Sequence, residues 1–293
     1  MGIYYSVENL VEAALQENKK ISQIVLAEQA QEMQKTEEEL YAIMRESFLV
    51  MQQSVAEGTD RNMRSNSGLT GGNAYKLKCA VDSGKSLCGK VFGNALVMAL
   101  AVAESNACMG RIVAAPTAGS CGIIPAALLT VMEDRKLDEH DVVMALFTSS
   151  AFGMVIANNA SISGAEGGCQ AECGSASAMA AAALTELAGG TPEMAAHACA
   201  IAIQNILGLV CDPVAGLVEV PCVNRNAMGV ANAFVGAELA LAGIESVIPA
   251  DEVIVAMKRV GNAMSNSLKE TSEGGLAATP TGKRLKKQIF GEE

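Results

Sequence analysis

Residues 169–188 read CQAECGSASAMAAAALTELA, a run dominated by alanine, serine and glycine. Alanine is the strongest helix former because it loses no side-chain entropy on folding. A helix this lightly clad has no wet face, so it belongs at the centre of other helices. Half of the 293 residues are apolar, yet only 3 % are aromatic and none is Trp. A β-sandwich would want Val, Tyr, Phe and Thr instead, and no stretch shows convincing β-alternation. The expected fold class is therefore all-α: a multi-helix globular domain with central hydrophobic helices joined by glycine-rich loops.

Spacing and punctuation predict the elements. Residues 1–57 read as an amphipathic helical region, wet on one side. There Thr36 and Glu39 form a capping-box pattern ahead of Leu40, Ile43, Met44, Phe48 and Met51, and Gly58 stops the run. Residues 58–84 lose periodicity and are the best candidate for a boundary. From residue 85 to 293 the chain turns small and apolar. Helices are expected near 86–108, 122–136, 139–158, 169–188, 192–209, 225–242 and 250–268. Asp138, Thr191 and Asp251 mark starts; Gly189 and Gly243 mark stops. No internal repeat is evident.

Charge and hydropathy exclude several classes. The net charge is −11, which leaves no basic surface to match a nucleic-acid backbone. The basic cluster Lys283, Arg284, Lys286 and Lys287 reads as a solvated helix end. No signal-peptide pattern is present. The apolar windows 91–103 and 142–157 fall short of the about 20 residues a membrane span needs, so no membrane association is expected. A cytoplasmic location follows, where thiols stay reduced.

The nine cysteines are then not a disulfide framework. Cys79, Cys88, Cys108 and Cys199 read as packing residues, and Cys121 lies at a loop-to-helix junction. Cys169, Cys211 and Cys222 differ, because each sits at a break: after Gly167-Gly168, before Asp212-Pro213, and after Pro221. Three such sulfurs with no accompanying histidine favour a soft centre, either zinc or iron–sulfur. Cys173, one helical turn beyond Cys169, reads as a neighbour rather than a ligand. His140 reads as solvated and His197 as a satisfied core residue, and neither completes a triad or a zinc-protease motif.

Polar loops supply the remaining candidates. APTAGSCG (115–122) sets Thr117, Ser120 and bare N–H groups ahead of an apolar helix, an arrangement suited to an anion. NNASISGAEGG (158–168) contributes Asn159. VNRNAMG (223–229) contributes Arg225, whose fork can grip a carboxylate, and Asn226. KETSEGGLAATPTGK (269–283) reads as a mobile flap. Its SEGGLA run is faintly similar to a pyridoxal-phosphate glycine loop, but no lysine has the required strand-to-helix setting.

Four long motifs, APTAGSCGIIPA, SGAEGGCQAECGSASAMAAAAL, CDPVAGLVEVPCVNRN and LKETSEGGLA, together resemble the α subunit, or catalytic domain, of the iron–sulfur-dependent bacterial L-serine dehydratases. The resemblance covers nearly the whole chain, treated as one catalytic domain over 1–293. It implies an all-helical fold and conversion of L-serine to pyruvate and ammonia. It also implies a [4Fe–4S] cluster on Cys169, Cys211 and Cys222, its sulfurs accepting N–H bonds from Gly167 and Gly168. One cluster iron would then lack a protein thiolate and act as Lewis acid. Thr117, Ser120, Asn159, Arg225 and Asn226 become candidates for holding the substrate's carboxylate and amine. Two departures accompany the resemblance. No cysteine follows Cys222 to cap the fourth iron, and the small regulatory half of single-chain relatives is missing. A separate β subunit is therefore implied, as a candidate seat for part of the proton-transfer machinery; the α-proton base is left unassigned. An oligomeric enzyme sensitive to oxygen is expected. The alternatives are a related lyase acting on L-threonine or L-cysteine, and a non-catalytic helical scaffold.

Overall fold

The structure is a computed structural model, and it describes residues 5–291. Among these residues there are thirteen α-helices and no strand. They are α1 (Val7–Glu17), α2 (Ile21–Glu32), α3 (Glu37–Gly58), α4 (Asn73–Asp82), α5 (Gly89–Ala107), α6 (Ile123–Arg135) and α7 (Glu139–Asn159). A single turn, α8 (Gly164–Gly167), follows, then α9 (Ser175–Leu187), α10 (Pro192–Gln204), α11 (Cys222–Leu241), α12 (Ala250–Ala263) and α13 (Pro280–Phe290).

The alanine-rich helix α9 lies at the centre. Every residue from Ser175 to Glu186 is buried, under α10, α11, α7 and α6. Small side chains permit this crowding: a Cβ on Gly236 of α11 would lie only 2.8 Å from the Ala198 carbonyl oxygen of α10. Larger side chains fill the space around this tight bundle. Phe147, Phe152 and Ile156 of α7 and Ile123, Ile124 and Leu128 of α6 are all fully buried. Each contributes about 1.5–3 kcal/mol by leaving water. Helix α7 is long and apolar enough to cross a membrane by length and composition, but 67 % of its most apolar window is buried against other helices.

The local signals behave as the sequence predicts. The Thr36 hydroxyl accepts from Glu39 N while the Glu39 carboxylate accepts from Thr36 N. Thr191 caps α10, and Gly189 and Gly243 follow their helices with φ of 89° and 82°. Ile43, read as part of the apolar face of α3, is instead exposed. Helix α10 ends at Gln204, five residues before the expected boundary at 209, and α12 ends at Ala263 rather than 268. Asp251 does not open α12, which begins one residue earlier. Its carboxylate accepts from Val7 N and Glu8 N, capping α1 across the fold.

The aperiodic stretch at 58–84 is held rather than loose. Glu104 of α5 is wholly buried and accepts from Thr70 Oγ1 and from the backbone N–H groups of Gly71, Asn73 and Ala74. It thereby serves as the anionic N-terminal cap of α4. Glu219 accepts from the hydroxyls of Ser65 and Ser67 at 2.6 and 2.7 Å. These acidic partners lie far along the chain, so local sequence gives no sign of them. Lys283, Arg284, Lys286 and Lys287 are exposed on α13, a solvated helix end as expected.

Candidate active site

The three break-point cysteines come from three loops that close on the same place. Gly168, with φ of 77°, ends the turn α8. Cys169 then leads into a widened turn, Gln170–Gly174, that runs straight into α9. Gln170 fixes this entry: its backbone N–H donates to Leu209 O, its Nε2 to Met257 O, and its Oε1 accepts from Gly208 N. Cys211 stands in an extended segment, its N–H donating to Leu268 O and its carbonyl accepting from Glu270 N. Cys222 is the first residue of α11.

The sulfurs are chemically unequal. Cys169 and Cys173 lie 3.3 Å apart, a hydrogen-bond distance and not a disulfide. The hydrogen bond between the Cys169 and Cys173 sulfurs, with Arg225 beside them, holds Cys169 below the ordinary thiol value despite burial. Cys173 is pushed well up by the same bond and by burial. Burial raises Cys222 to about 12 and Cys211 further still, with the Cys169 charge adding to both. Of these four cysteines only Cys169 is shifted downward.

Arg225 and Asn226, both expected to grip substrate, are engaged by the protein. Arg225 donates from Nη1 to Val210 O and from Nη2 to Asp212 Oδ1, each at 2.7 Å. Asp212 also accepts from Leu276 N at 2.7 Å, and Ser272 Oγ donates to Pro213 O. These contacts and the Cys211–Lys269 pairing tie the GGLA stretch, read as a flap, down onto the Cys211 loop. Asn226 is 1 % exposed. Its Nδ2 donates to Gly119 O and Cys222 O and its Oδ1 accepts from Gly122 N. It clamps the APTAGSCG loop to the start of α11.

That loop differs from the expected anion cradle. Thr117 Oγ1 donates to Glu172 Oε1 at 2.6 Å and lies 3.1 Å from Ser120 Oγ, which is fully buried. A Cβ on Gly119 would lie 2.8 Å from Glu172 Oε1. A carboxylate therefore underlies the loop, and it repels anions there. Asn159 donates to Tyr5 O and Val155 O, tying the end of α7 to the N-terminal segment. The N–H groups of Gly167 and Gly168 are taken by Ser163 O and Gly164 O, so they close α8 and are not available to cluster sulfurs. His140 packs on Tyr41 with ring centroids 5.2 Å apart, and His197 accepts from Ser246 N.

Glu172 and Glu270 are the residues that sequence reasoning missed. Glu172 is largely buried, which raises its carboxyl above the usual range. The signal for it in the sequence is a lone carboxylate one turn past Cys169 inside a run of small residues. Glu270 reaches the site because Cys211 pairs with the 268–270 backbone, which no local pattern announces. Among the remaining cysteines, Cys199 and Cys121 are buried, whereas Cys79 and Cys88, read as packing residues, are exposed.

The donor set fits a sulfur-ligated iron group. It offers three cysteine sulfurs at chain breaks, one of them with its pKa lowered, and a guanidinium to offset negative charge. Gly164 approaches Cys211 closely, and a Cβ there would crowd its sulfur at 3.1 Å. Among the described residues no three His, Cys, Asp or Glu side chains converge tightly enough for a single metal ion. A multi-iron cluster makes a different demand, because each thiolate takes its own iron.

The loops of this all-helical protein gather Cys169, Cys211, Cys222, Arg225 and Glu172 at one place. Comparison with known proteins gives the family. Residues 16–277 match the family model described as serine dehydratase alpha chain, and the chain belongs to that family. It is 52 % identical over 289 residues to the probable L-serine dehydratase, alpha chain, of Bacillus subtilis, covering 99 % of this chain and 96 % of that one. It is 48 % identical over 273 residues to the L-serine dehydratase, alpha chain, of Peptoniphilus asaccharolyticus, covering 93 % and 94 %. The L-serine dehydratase of Streptomyces coelicolor is 43 % identical over 242 residues, which span 80 % of this chain but 53 % of that longer one.

Proposed function

We propose that this chain is the catalytic α chain of an L-serine dehydratase, eliminating water from L-serine to give pyruvate and ammonia. The observation that carries the reading is the meeting of Cys169, Cys211 and Cys222 with Arg225 at one cleft, in a chain about half identical to its relatives along nearly its full length. These three cysteines would hold a [4Fe–4S] cluster. When bound, the cluster supplies a Lewis acid for the β-hydroxyl, converting a poor leaving group into a better one.

The chain's own residues do the rest. Arg225 bridges Asp212 and the Val210 carbonyl beside Cys169, so it fixes two cysteine-bearing loops relative to one another and offsets thiolate charge. Cys173 is hydrogen-bonded to Cys169, and that bond lowers the Cys169 pKa. Asn226 sets the distance between the Thr117 loop and Cys222. A separate β subunit completes the enzyme, as the alpha-chain naming of the relatives implies. We place the enzyme in the cytoplasm, where reduced thiols remain available to iron, and expect it to lose activity in air.

Anaerobic iron and sulfide analysis tests the cofactor. Wild type and Cys173→Ser should keep cluster absorption near about 400 nm, and Cys169→Ser, Cys211→Ser and Cys222→Ser should lose it. A colourless protein without iron after reconstitution would sink the reading. Comparing turnover of L-serine, L-threonine and L-cysteine by the reconstituted enzyme tests the substrate. L-serine should have the highest kcat/KM.

A further inference from the structure

Helix α7 carries Thr148, Ser149 and Ser150 side by side in an otherwise apolar run. Thr148 is accounted for, its hydroxyl donating to buried Glu186 at 2.8 Å. A helical hydroxyl without such a partner ordinarily turns back to the carbonyl one turn earlier, as Thr185 of α9 does to Ala181 O at 2.8 Å. Ser149 does neither. Its residue is 2 % exposed, and its Oγ is buried with no hydrogen-bond partner among the described residues. A hydroxyl left so in the interior costs stability unless another group meets it.

Ser149 lines a cavity of about 310 Å³, within the range of about 300–1,000 Å³ that small-molecule sites occupy. The α7 residues on its wall, Leu146, Ser149, Ser150, Gly153, Met154 and Ala157, recur at helical spacing. This face of the helix, with Ser149 on it, is therefore turned into the space. Helix α3 adds Met44 and Met51. Met179 of α9 reaches in over Gly153, where a Cβ would lie 2.7 Å from its methyl. No residue lining the cavity is charged, so a zwitterion such as L-serine is unsuited to it. Four thioethers adapt their shape and make favourable contacts with aromatic rings. One unpartnered hydroxyl supplies a single directional bond.

The remaining wall belongs to the loops of the cysteine cleft. Val113–Pro116 runs directly into Thr117, and Ile162 lies just ahead of Gly164. Thr117 holds Glu172, and Gly164 abuts Cys211. We propose that this cavity binds a small neutral aromatic molecule through Ser149, and that its occupancy braces the Thr117 and Gly164 loops from behind. The cavity shares no residue with the cysteine cleft, so binding stands independently of the L-serine dehydratase reading.

The test uses the full α chain, alone and with its β subunit, and two neutral bicyclic probes. Indole offers one N–H donor; indene has a similar ring skeleton without it. Calorimetric titration should show saturable indole binding to wild type. Ser149→Ala should raise the indole Kd about three- to tenfold and leave that of indene within about twofold, since only indole makes the bond. The same substitution should leave the Tm of the ligand-free protein unchanged or raised, because it removes an unsatisfied group. Ala157→Phe, at an exposed part of the wall, should weaken both probes. Hydrogen exchange at residues 113–118 and 160–164 should slow when indole binds, with α13 unaffected. Absence of saturable binding, or equal weakening of the two probes by Ser149→Ala, overturns the proposal. A Tm lowered by Ser149→Ala also overturns it, since the hydroxyl would then be satisfied within the protein. Binding untouched by Ala157→Phe places the probe elsewhere. Loss of probe binding on adding the β subunit gives the cavity to a side chain of that subunit and overturns the small-molecule reading. Binding without slowed exchange overturns the bracing of the loops. Should Ala157→Phe fail to fold by circular dichroism, Ser149→Ala, which removes a single oxygen, decides.

Discussion

Asn226 offers the sharpest test of how the cleft is built. It was a candidate to touch substrate, yet all of its polar atoms meet protein: Gly119 O at 2.8 Å, Cys222 O at 3.0 Å and Gly122 N at 2.8 Å. In Asn226→Ala the Gly119 carbonyl and the Gly122 N–H lose those partners in the interior. Each unsatisfied group costs about 1–3 kcal/mol, so the expected loss is about 3–5 kcal/mol once the small cavity is added. For a chain of this length, an unfolding entropy of about 2 cal/mol/K per residue converts this into a Tm drop of about 5–8 °C. Differential scanning fluorimetry of the cluster-free protein measures it without any contribution from substrate. Asn226→Asp supplies the sign control. Its new carboxylate would face the Gly119 carbonyl, raising its folded pKa above the unfolded value near about 3.9. A raised folded pKa gives stability at low pH that is lost as pH rises through it. This variant should therefore be more stable at acidic pH than at neutral pH relative to Asn226→Ala. A Tm drop under about 1 °C for Asn226→Ala would refute the clamp, since two orphaned groups cannot cost so little.

Other outcomes follow from the same contacts. Arg225→Lys replaces a fork that spans Val210 O and Asp212 with a single point charge; iron incorporation should fall several-fold, measured by anaerobic iron analysis, with Asp212→Asn behaving similarly. Glu104→Ala strips the anionic cap from α4 and leaves several donors unmet. It should lower stability by about 3 kcal/mol or more and open residues 60–72 to limited proteolysis. Brief treatment of the folded protein with a thiol reagent should label Cys79 and Cys88, which are exposed, before Cys121 and Cys199. The latter two are buried with their thiol pKa raised, Cys121 to about 12. Peptide mapping by mass spectrometry reads the order.

The apolar pattern carried most of the helices because burial decides them, and burial of whole faces is written as spacing. Errors fell where a helix end depends on a distant partner. Helix α10 stops early because residues 205–211 must cross to meet Gln170 and Leu268, and that demand is absent from their own composition. Glu104 and Glu219 show the same thing for 58–84, where a stretch that looked like a boundary is held by carboxylates from α5 and from the segment before α11. Cysteine is usually buried, but Cys79 on α4 and Cys88 just before α5 are exposed to solvent.

The run GAEGGCQAECG shows the division most clearly. By itself the sequence determined that small residues would let α9 be surrounded, and that a cysteine beside paired glycines would differ from one a turn later. Propensity, backbone freedom and side-chain size act within a few residues, so they can be read from a string. Only the tertiary structure decided that Arg225 comes to Cys169, and that Arg225 and Asn226 serve the framework. It also brought Glu172 and Glu270 together against Gly164. Charges and hydrogen bonds take their meaning from whichever groups stand within a few ångströms, and here those groups come from loops up to about a hundred residues apart.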